Sequence, residues 1–235
     1  MNQMPPLGNQ VGQKNKILLW TLSSALTIAA LSGCSKDTTS EADGVPATQV
    51  CASTLNTSAA AALKRISGGT DKFAELEGRN TADGASQKKF SLSSAVEGLH
   101  GTASERNQCT IYTVGDKSAH PLIEVDFEVA TSHPDKRTAL QRDSPKTTVY
   151  SIGAYAATNA NFGASLFFAC PTKGPEGTKP YVKASMYSSG DQFKEEETSK
   201  DRMIILNSIS RRLADKLGCA KDANLPIKVP APMTE

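Results

Sequence analysis

The sequence predicts an α+β domain in which one antiparallel sheet of about five strands carries N-terminal and C-terminal helices packed on it. The middle of the chain alternates apolar and polar residues, and a segment on either side of it has apolar residues at helical spacing. A composition of 38% hydrophobic and 21% charged residues is typical of a globular protein. The formal charge of +2 is too small and too mixed for a nucleic-acid-binding domain, so no nucleic-acid partner is expected.

The first 33 residues have the organisation of a secretory signal peptide. Lys14 and Lys16 precede an apolar run over 17–31, and no acidic residue is present in this segment. The run extends about 22 Å as a helix, less than the ~30 Å hydrocarbon core of a bilayer. A permanent single-span anchor is the alternative, and the short run together with its serines and threonines argues against it.

The run is followed by Leu31-Ser32-Gly33-Cys34, which resembles the lipobox of bacterial prolipoproteins. The resemblance implies that the Cys34 sulfur receives diacylglycerol and that the chain is cut before this residue. Two or three acyl chains on one residue form a lasting anchor, because each buried methylene contributes about 0.8 kcal/mol. The resemblance therefore implies a protein anchored by lipid to the cell membrane, on its extracytoplasmic face.

Composition divides the chain into four parts. Residues 1–33 form the signal peptide, and 34–50 are small and polar, as expected of a flexible tether. Residues 51–220 form the α+β domain, and 221–235 form a Pro-rich tail that is extended or loose. The two lysines of the signal peptide account for the whole formal charge, so the remainder of the chain is neutral and implies no strongly charged partner.

Cys34 also explains the odd number of cysteines. Four others remain, and an even number outside the cytoplasm favours two disulfides. Four cysteines allow three pairings, of which the expected one joins sequence neighbours: Cys51 with Cys109, and Cys170 with Cys219. Each bond would contribute on the order of 4 kcal/mol by closing its loop. A thiolate metal site is the alternative, but the close paired spacing of such sites is missing.

Three helical segments are expected. The first covers 57–66, with Asn56 or Thr57 as its cap and two glycines after its end. A short helix starts at Ser94, which forms a capping box with Glu97, and ends near residues 98–101. The last begins at residue 198 or 199, carries a stripe of leucines and isoleucines, and ends at Gly218.

Five strands are expected between these helices. The clearest has Ile123, Val125, Phe127 and Val129 on one face, with acidic residues on the other. The third and fourth strands should form a hairpin through 158–161, whereas the glycines and prolines of 171–180 are typical of a loop. The predicted strands cover 109–114, 122–130, 146–157, 162–170 and 181–187.

Glu124, Asp126 and Glu128 share one strand face at intervals of about 7 Å and form a candidate cation ladder. Calcium usually gathers six or more oxygens, and one straight strand does not converge three carboxylates on one ion. The alternative is a solvated face in which one acid pairs with Lys183. No metal site and no cofactor are therefore expected.

Catalytic signatures are missing from the sequence. The histidines, His100, His120 and His133, lack metal-ligand spacing and are expected at the surface. Ser86 and Lys89 match a Ser-x-x-Lys pattern of penicillin-binding enzymes, but they lie in a polar loop and no Lys-Thr-Gly accompanies them. No catalytic residue is assigned.

Two further features have both a functional and a structural interpretation. Arg211 and Arg212 lie opposite the apolar stripe of the last helix and could contact anionic lipid or an acidic partner, although two arginines usually form a solvated face. Five aromatic residues of the strands could line a ligand groove, but core packing explains them more simply. They are Tyr150, Tyr155, Phe167, Tyr181 and Tyr187.

The layout also resembles two-disulfide lipoproteins of actinobacteria, some of which are similar to extracellular sensor domains. The shared cues are the Cys-led helix at 51–66, Cys109 near a strand start, and the Leu-Ala-x-x-Leu helix before Cys219. This implies a non-catalytic module that binds an unidentified protein or small molecule. The alternatives are a cell-envelope hydrolase whose site forms only in three dimensions, and an accessory subunit of a membrane complex.

Overall fold

One antiparallel sheet of seven strands organises the described part of the chain. The computed structural model describes residues 44–75, 89–101, 107–118, 120–141, 147–159, 163–174, 177–189, 192–193 and 198–234. The strand order is β1-β2-β3-β7-β6-β5-β4, and every pairing is antiparallel. The strands are β1 (Phe73–Glu75), β2 (Cys109–Thr113), β3 (Ile123–Ala130), β4 (Thr147–Val149), β5 (Tyr155–Asn159), β6 (Ala164–Gly174) and β7 (Gly177–Tyr187).

The predicted α+β class with a single antiparallel sheet is confirmed, but among the described residues the sheet has seven strands rather than five. One added strand is β1, which was not predicted. The other arises because the strand predicted over 146–157 is a hairpin, in which β4 and β5 pair across a turn. Gly153 makes this turn possible: its φ is +54°, and a Cβ there would lie 2.4 Å from the Phe167 carbonyl oxygen.

The loop predicted over 171–180 is largely a continuation of β6 and β7. The register shifts between Ala169 and Thr172, so that Cys170 and Pro171 lie opposite Pro180 in a β-bulge. A bulge interrupts the ladder of hydrogen bonds, so prolines, which lack an N–H, fit there. The proline-rich composition therefore marks an irregular hairpin and not an unstructured connection.

The longer helices lie on one side of the sheet. The long α5 (Ser199–Leu217) packs on β5, β6 and β7, and α2 (Thr57–Ile66) packs against α5. Their bounds agree with the predictions, including the Asn56 cap and the left-handed Gly218 at the C-terminus. The short helix predicted from Ser94 starts earlier than expected, because Ser91 and not Ser94 caps α3 (Leu92–His100). Three short helices were not predicted: α1 (Val50–Ser53), α4 (Lys136–Gln141) and α6 (Ala220–Ala223).

Two disulfides join the ends of these elements in the pairing expected from the sequence. Cys51 bonds Cys109 at the start of β2, and Cys170 in β6 bonds Cys219 after α5. All four cysteines are buried in the main core between the helices and the sheet. Each disulfide therefore attaches a segment near one end of the folded region to a strand.

Both outer edges of the sheet are paired with segments near the ends of the described chain. Val45 and Phe73 exchange backbone hydrogen bonds of 2.7 and 2.9 Å along β1. At the other edge, the Met233 N–H donates to the Val149 carbonyl over 2.8 Å. Unpaired edges favour aggregation, and each of these isolated bridges covers part of one edge. They also show that the folded region extends to Val45, within the segment predicted as a tether, and that the Pro-rich tail reaches the β4 edge at Pro232 and Met233.

None of the helices in the described part of the chain has the length and apolar character needed to span a membrane. The predicted signal peptide and Cys34 lie outside the described residues.

Candidate functional site

The most unusual backbone in the fold is α1, in which Cys51, Ala52 and Ser53 form a left-handed turn at the first disulfide instead of a right-handed helix. Their φ angles are +49°, +55° and +58°, although none of them is glycine. The left-handed conformation costs roughly 1–2 kcal/mol for each such residue. Local strain of this kind persists only where the surroundings hold it, and it is often found at functional sites.

Tertiary contacts hold this turn from three directions. The disulfide ties Cys51 to β2, and the Glu75 carboxylate accepts the Cys51 N–H. Within the turn, the Thr54 hydroxyl donates to the Cys51 carbonyl over 2.7 Å. The Ser208 hydroxyl of α5 donates to the Thr54 carbonyl over 2.9 Å. The position of the turn relative to α5 is therefore fixed.

A groove of about 330 Å³ lies between the turn and α5. Residues 53–56 contribute to the groove from the turn side, and the Asn56 N–H donates to Ser208 Oγ over 3.0 Å. From α5, four residues at positions i, i+3, i+4 and i+7 share the helix face that lines the groove. They are Ser208, Arg211, Arg212 and Asp215. This volume is at the lower end of the range for small-molecule sites.

The groove is suited to binding rather than to chemistry. Of the described residues that line it, Asp215 is the only acid, and neither histidine, lysine nor cysteine is among them. The Ser208 hydroxyl is already engaged with the turn on both sides. A nucleophile paired with a general base is therefore missing from this lining.

The ligand atoms of Cys51, Glu75 and Cys109 lie within 4.8 Å of one another, as in a metal site. Both sulfurs belong to the disulfide, however, and so cannot act as thiolate ligands. Glu75 accepts the Cys51 N–H and has the Lys89 ammonium 3.5 Å from its other oxygen. This carboxylate therefore supports the strained turn.

The predicted cation ladder lies on the side of the sheet opposite the main helices, as its alternation indicated. In the described part of the chain, the Cys51–Glu75–Cys109 cluster is the only group of three histidine, cysteine or acidic side chains close enough to bind one metal ion. The carboxylates of the ladder therefore do not converge. Glu128 instead forms an ion pair with Lys183 over 2.5 Å, which is the alternative that the sequence offered.

The five aromatic residues do not form one groove. Tyr150 is fully buried in the main core, while Tyr155 and Phe167 form an edge-to-face pair, 5.9 Å between centroids, in a smaller cluster on the opposite face. Tyr181 packs edge-on against the His133 ring at 4.9 Å, and Tyr187 is 56% exposed.

The histidines are dispersed. His100 and His120 are exposed, and His133 contacts the Pro134 carbonyl as well as Tyr181. Of the Ser-x-x-Lys pattern, only Lys89 lies within the described residues, where it pairs with Glu75.

A buried hydroxyl cluster at the start of α5 is the strongest alternative site. The Ser199 hydroxyl lies 2.9 Å from the Tyr150 hydroxyl and 2.5 Å from that of Thr158. Burial raises the pKa of Tyr150, so this phenol keeps its proton and does not act as a base. Nearby, Arg202 donates to the carbonyls of Asn159, at the end of β5, and Gly163, just before β6. The cluster is best explained as a structural network.

Comparison with protein-family models, curated proteins and solved structures finds no match for this chain. The groove and its chemistry are therefore the basis for the function proposed below.

Proposed function

We propose that the chain is a lipid-anchored, extracytoplasmic binding module that takes a small ligand into the groove between the left-handed turn and α5. The anchor would be Cys34, which lies eleven residues before Val45, where backbone pairing with β1 begins. The two disulfides are consistent with an oxidising compartment outside the cytoplasm.

One observation carries the binding function: the fold holds a strained, non-glycine turn in a fixed position beside a groove. A turn needed only to connect Val45 to α2 would be simpler with glycine, which adopts positive φ without the steric cost. Three contacts instead keep Cys51–Ser53 strained next to the Ser208 face of α5. A pre-organised wall reduces the ordering cost of binding, which favours a ligand site.

The groove can be tested by hydrogen exchange of the full anchored chain in phosphatidylcholine vesicles, with a library of small polar and uncharged compounds. We expect a bound compound to slow exchange in peptides covering 53–60 and 208–215 and to leave β3 peptides unchanged. A Ser53→Trp variant, which fills the groove, should abolish this protection. Ser93→Trp, at an exposed serine of α3, is the matched control.

The result also distinguishes the competing functions. Protection confined to the α5 start, around Ser199, would support an enzyme built on the hydroxyl cluster. Protection of the exposed Ile227 region by a membrane protein alone would support an accessory subunit, because the apolar stripe of α5 is buried and Ile227 is 76% exposed. Either pattern, without protection of the groove, contradicts the proposal.

The anchor has its own test. Cys34→Ala should release the chain from membranes or leave an uncut precursor, as measured by membrane fractionation and mass spectrometry. Ser35→Ala, next to the predicted cleavage site, should leave the normal product. A membrane-bound and normally cut Cys34→Ala protein would contradict the lipoprotein assignment.

A further inference from the structure

The groove contains two cationic side chains whose charge the fold does not use. Arg211 is half-buried and Arg212 is exposed, and both line the groove. In the described part of the chain neither guanidinium has a hydrogen bond or an ion pair, in contrast to Arg65, whose guanidinium makes two bonds to Asp201. The two charges therefore remain available to a ligand.

The charge of the lining favours an anion. Two guanidinium groups face one carboxylate, that of Asp215, which opposes anion binding. The positive end of α2 adds to the favourable potential but would not by itself constitute a site. Ser53 contributes an exposed hydroxyl on the turn side. The lining therefore has a net positive charge and hydrogen-bond donors on both sides.

We infer that the groove recognises a phosphate group, an inference that rests on the binding function proposed above. Each guanidinium presents a planar fork of donors that matches two phosphate oxygens at once. Two adjacent positions on one helix, Arg211 and Arg212, supply two such forks, and the fixed turn supplies the facing wall. The volume of about 330 Å³ is large enough for a phosphate and a small attached group.

The phosphate can come from two sources. One is a small phosphorylated solute. The other is the headgroup of an anionic lipid in the bilayer to which the proposed Cys34 anchor attaches the chain. Only nine residues separate Cys34 from Gly44, the first residue that the structure describes, so an anchor at Cys34 would keep the domain close to the bilayer. The shared chemistry is a phosphate held by Arg211 and Arg212.

The test uses hydrogen exchange of the anchored chain in vesicles at constant ionic strength. Inorganic phosphate is titrated into phosphatidylcholine vesicles, and separately the bilayer is changed to phosphatidylglycerol without added phosphate. Protection of peptides 53–60 and 208–215 in the first arm identifies a soluble phosphate, and protection in the second alone identifies a headgroup. Sodium chloride replaces phosphate in the control titration.

Three variants assign the effect to the arginines. Arg211→Gln with Arg212→Gln should weaken phosphate binding about tenfold or more, the loss expected for one or two charge-assisted hydrogen bonds. Asp215→Asn should tighten binding about twofold to fivefold, because it removes an opposing exposed charge. Arg137→Gln, at an exposed arginine of α4 outside the groove, should change nothing. An unchanged thermal midpoint confirms that each variant is folded.

The results of these experiments distinguish a failure of phosphate recognition from a failure of the binding function of the groove. If uncharged compounds protect the groove and neither phosphate nor anionic lipid does, the binding module stands and the phosphate inference is wrong. If phosphate binds equally well to the double arginine variant, or if Asp215→Asn weakens binding, the inference is also wrong. If no compound protects the groove, both proposals fail.

Discussion

The two faces of the sheet differ in composition and in what covers them. The face under α5 is largely buried and mostly apolar, with Leu166 and Phe168 of β6 in the main core. The opposite face has acids, serines and tyrosines, and its own apolar cluster is small, where α4 and Met233 cover Val149, Tyr155, Ala157 and Phe167. The covered face therefore supplies most of the stability, while the open face tolerates polar residues.

The largest effect should come from neighbouring phenylalanines that point to opposite faces. Phe168→Ala removes a fully buried side chain from the main core and should lower the free energy of unfolding by about 3–5 kcal/mol. Phe167→Ala affects only the smaller cluster and should cost about 1–3 kcal/mol. Urea denaturation measures both. Equal losses would contradict the unequal contribution of the two faces.

The second largest loss of stability is expected from removing the Cys170–Cys219 disulfide, which joins β6 to the end of α5. Replacement of both Cys170 and Cys219 by alanine should lower the free energy of unfolding by about 4 kcal/mol, because the unfolded chain regains the freedom of a closed loop. Chemical denaturation of this variant is compared with that of the wild type. An undiminished stability would show that the covered face does not depend on this bond.

A smaller effect, dependent on pH, should come from Tyr150 on the covered face. Burial raises its pKa above the ordinary value of 10.0, so the folded state keeps a proton that the unfolded state loses. The contribution of Tyr150 to stability is therefore present below pH 10.0 and is lost as the pH rises through the folded pKa.

The measurement for Tyr150 is stability as a function of alkaline pH. Tyr150→Phe should make stability fall less steeply above pH 10.0, at the cost of its hydrogen bond to Ser199 at neutral pH. That hydrogen bond is worth about 0.5–1.5 kcal/mol. If the stability of Tyr150→Phe fell with alkaline pH as steeply as that of the wild type, the pKa of Tyr150 would not be raised in the folded state.

The smallest effect is expected on the open face, at the Glu128–Lys183 ion pair. Its side chains are 57% and 31% exposed, so water and salt screen the attraction. A double-mutant cycle with Glu128→Gln and Lys183→Gln should give a coupling of about 0.2–1 kcal/mol that decreases in high salt. A coupling several times larger would mean that this face is less solvated than its composition indicates.

Regular segments could be predicted because local patterns determine them. The spacing of Leu63 and Ile66, the Asn56 cap and Gly218 are sufficient to place α2 and α5 within a residue. The alternation around Val125 similarly places β3. The disulfide pairing followed from the expectation that neighbouring cysteines bond, and the structure confirms it.

The predictions of strands and loops were wrong where the sequence pattern was short or compatible with more than one structure. β1 has only three residues, too few for a period of two to be visible. The alternation of 146–157 continues through the β4–β5 turn, and only the contact of Gly153 with the Phe167 carbonyl reveals why the chain reverses there. Pro171 and Pro180 suggested a loop because proline disfavours regular pairing, but they meet at a bulge.

The sequence by itself determined α2, α5 and β3, and it predicts an export and lipidation signal, since each of these patterns depends on residues close together along the chain. Only the tertiary structure decided the groove, because Ser53 and Arg211 are brought together from opposite ends of the folded region. The left-handed turn is also a tertiary property. No local preference favours positive φ at Cys51, Ala52 and Ser53, and contacts with Glu75, Cys109 and Ser208 hold them there.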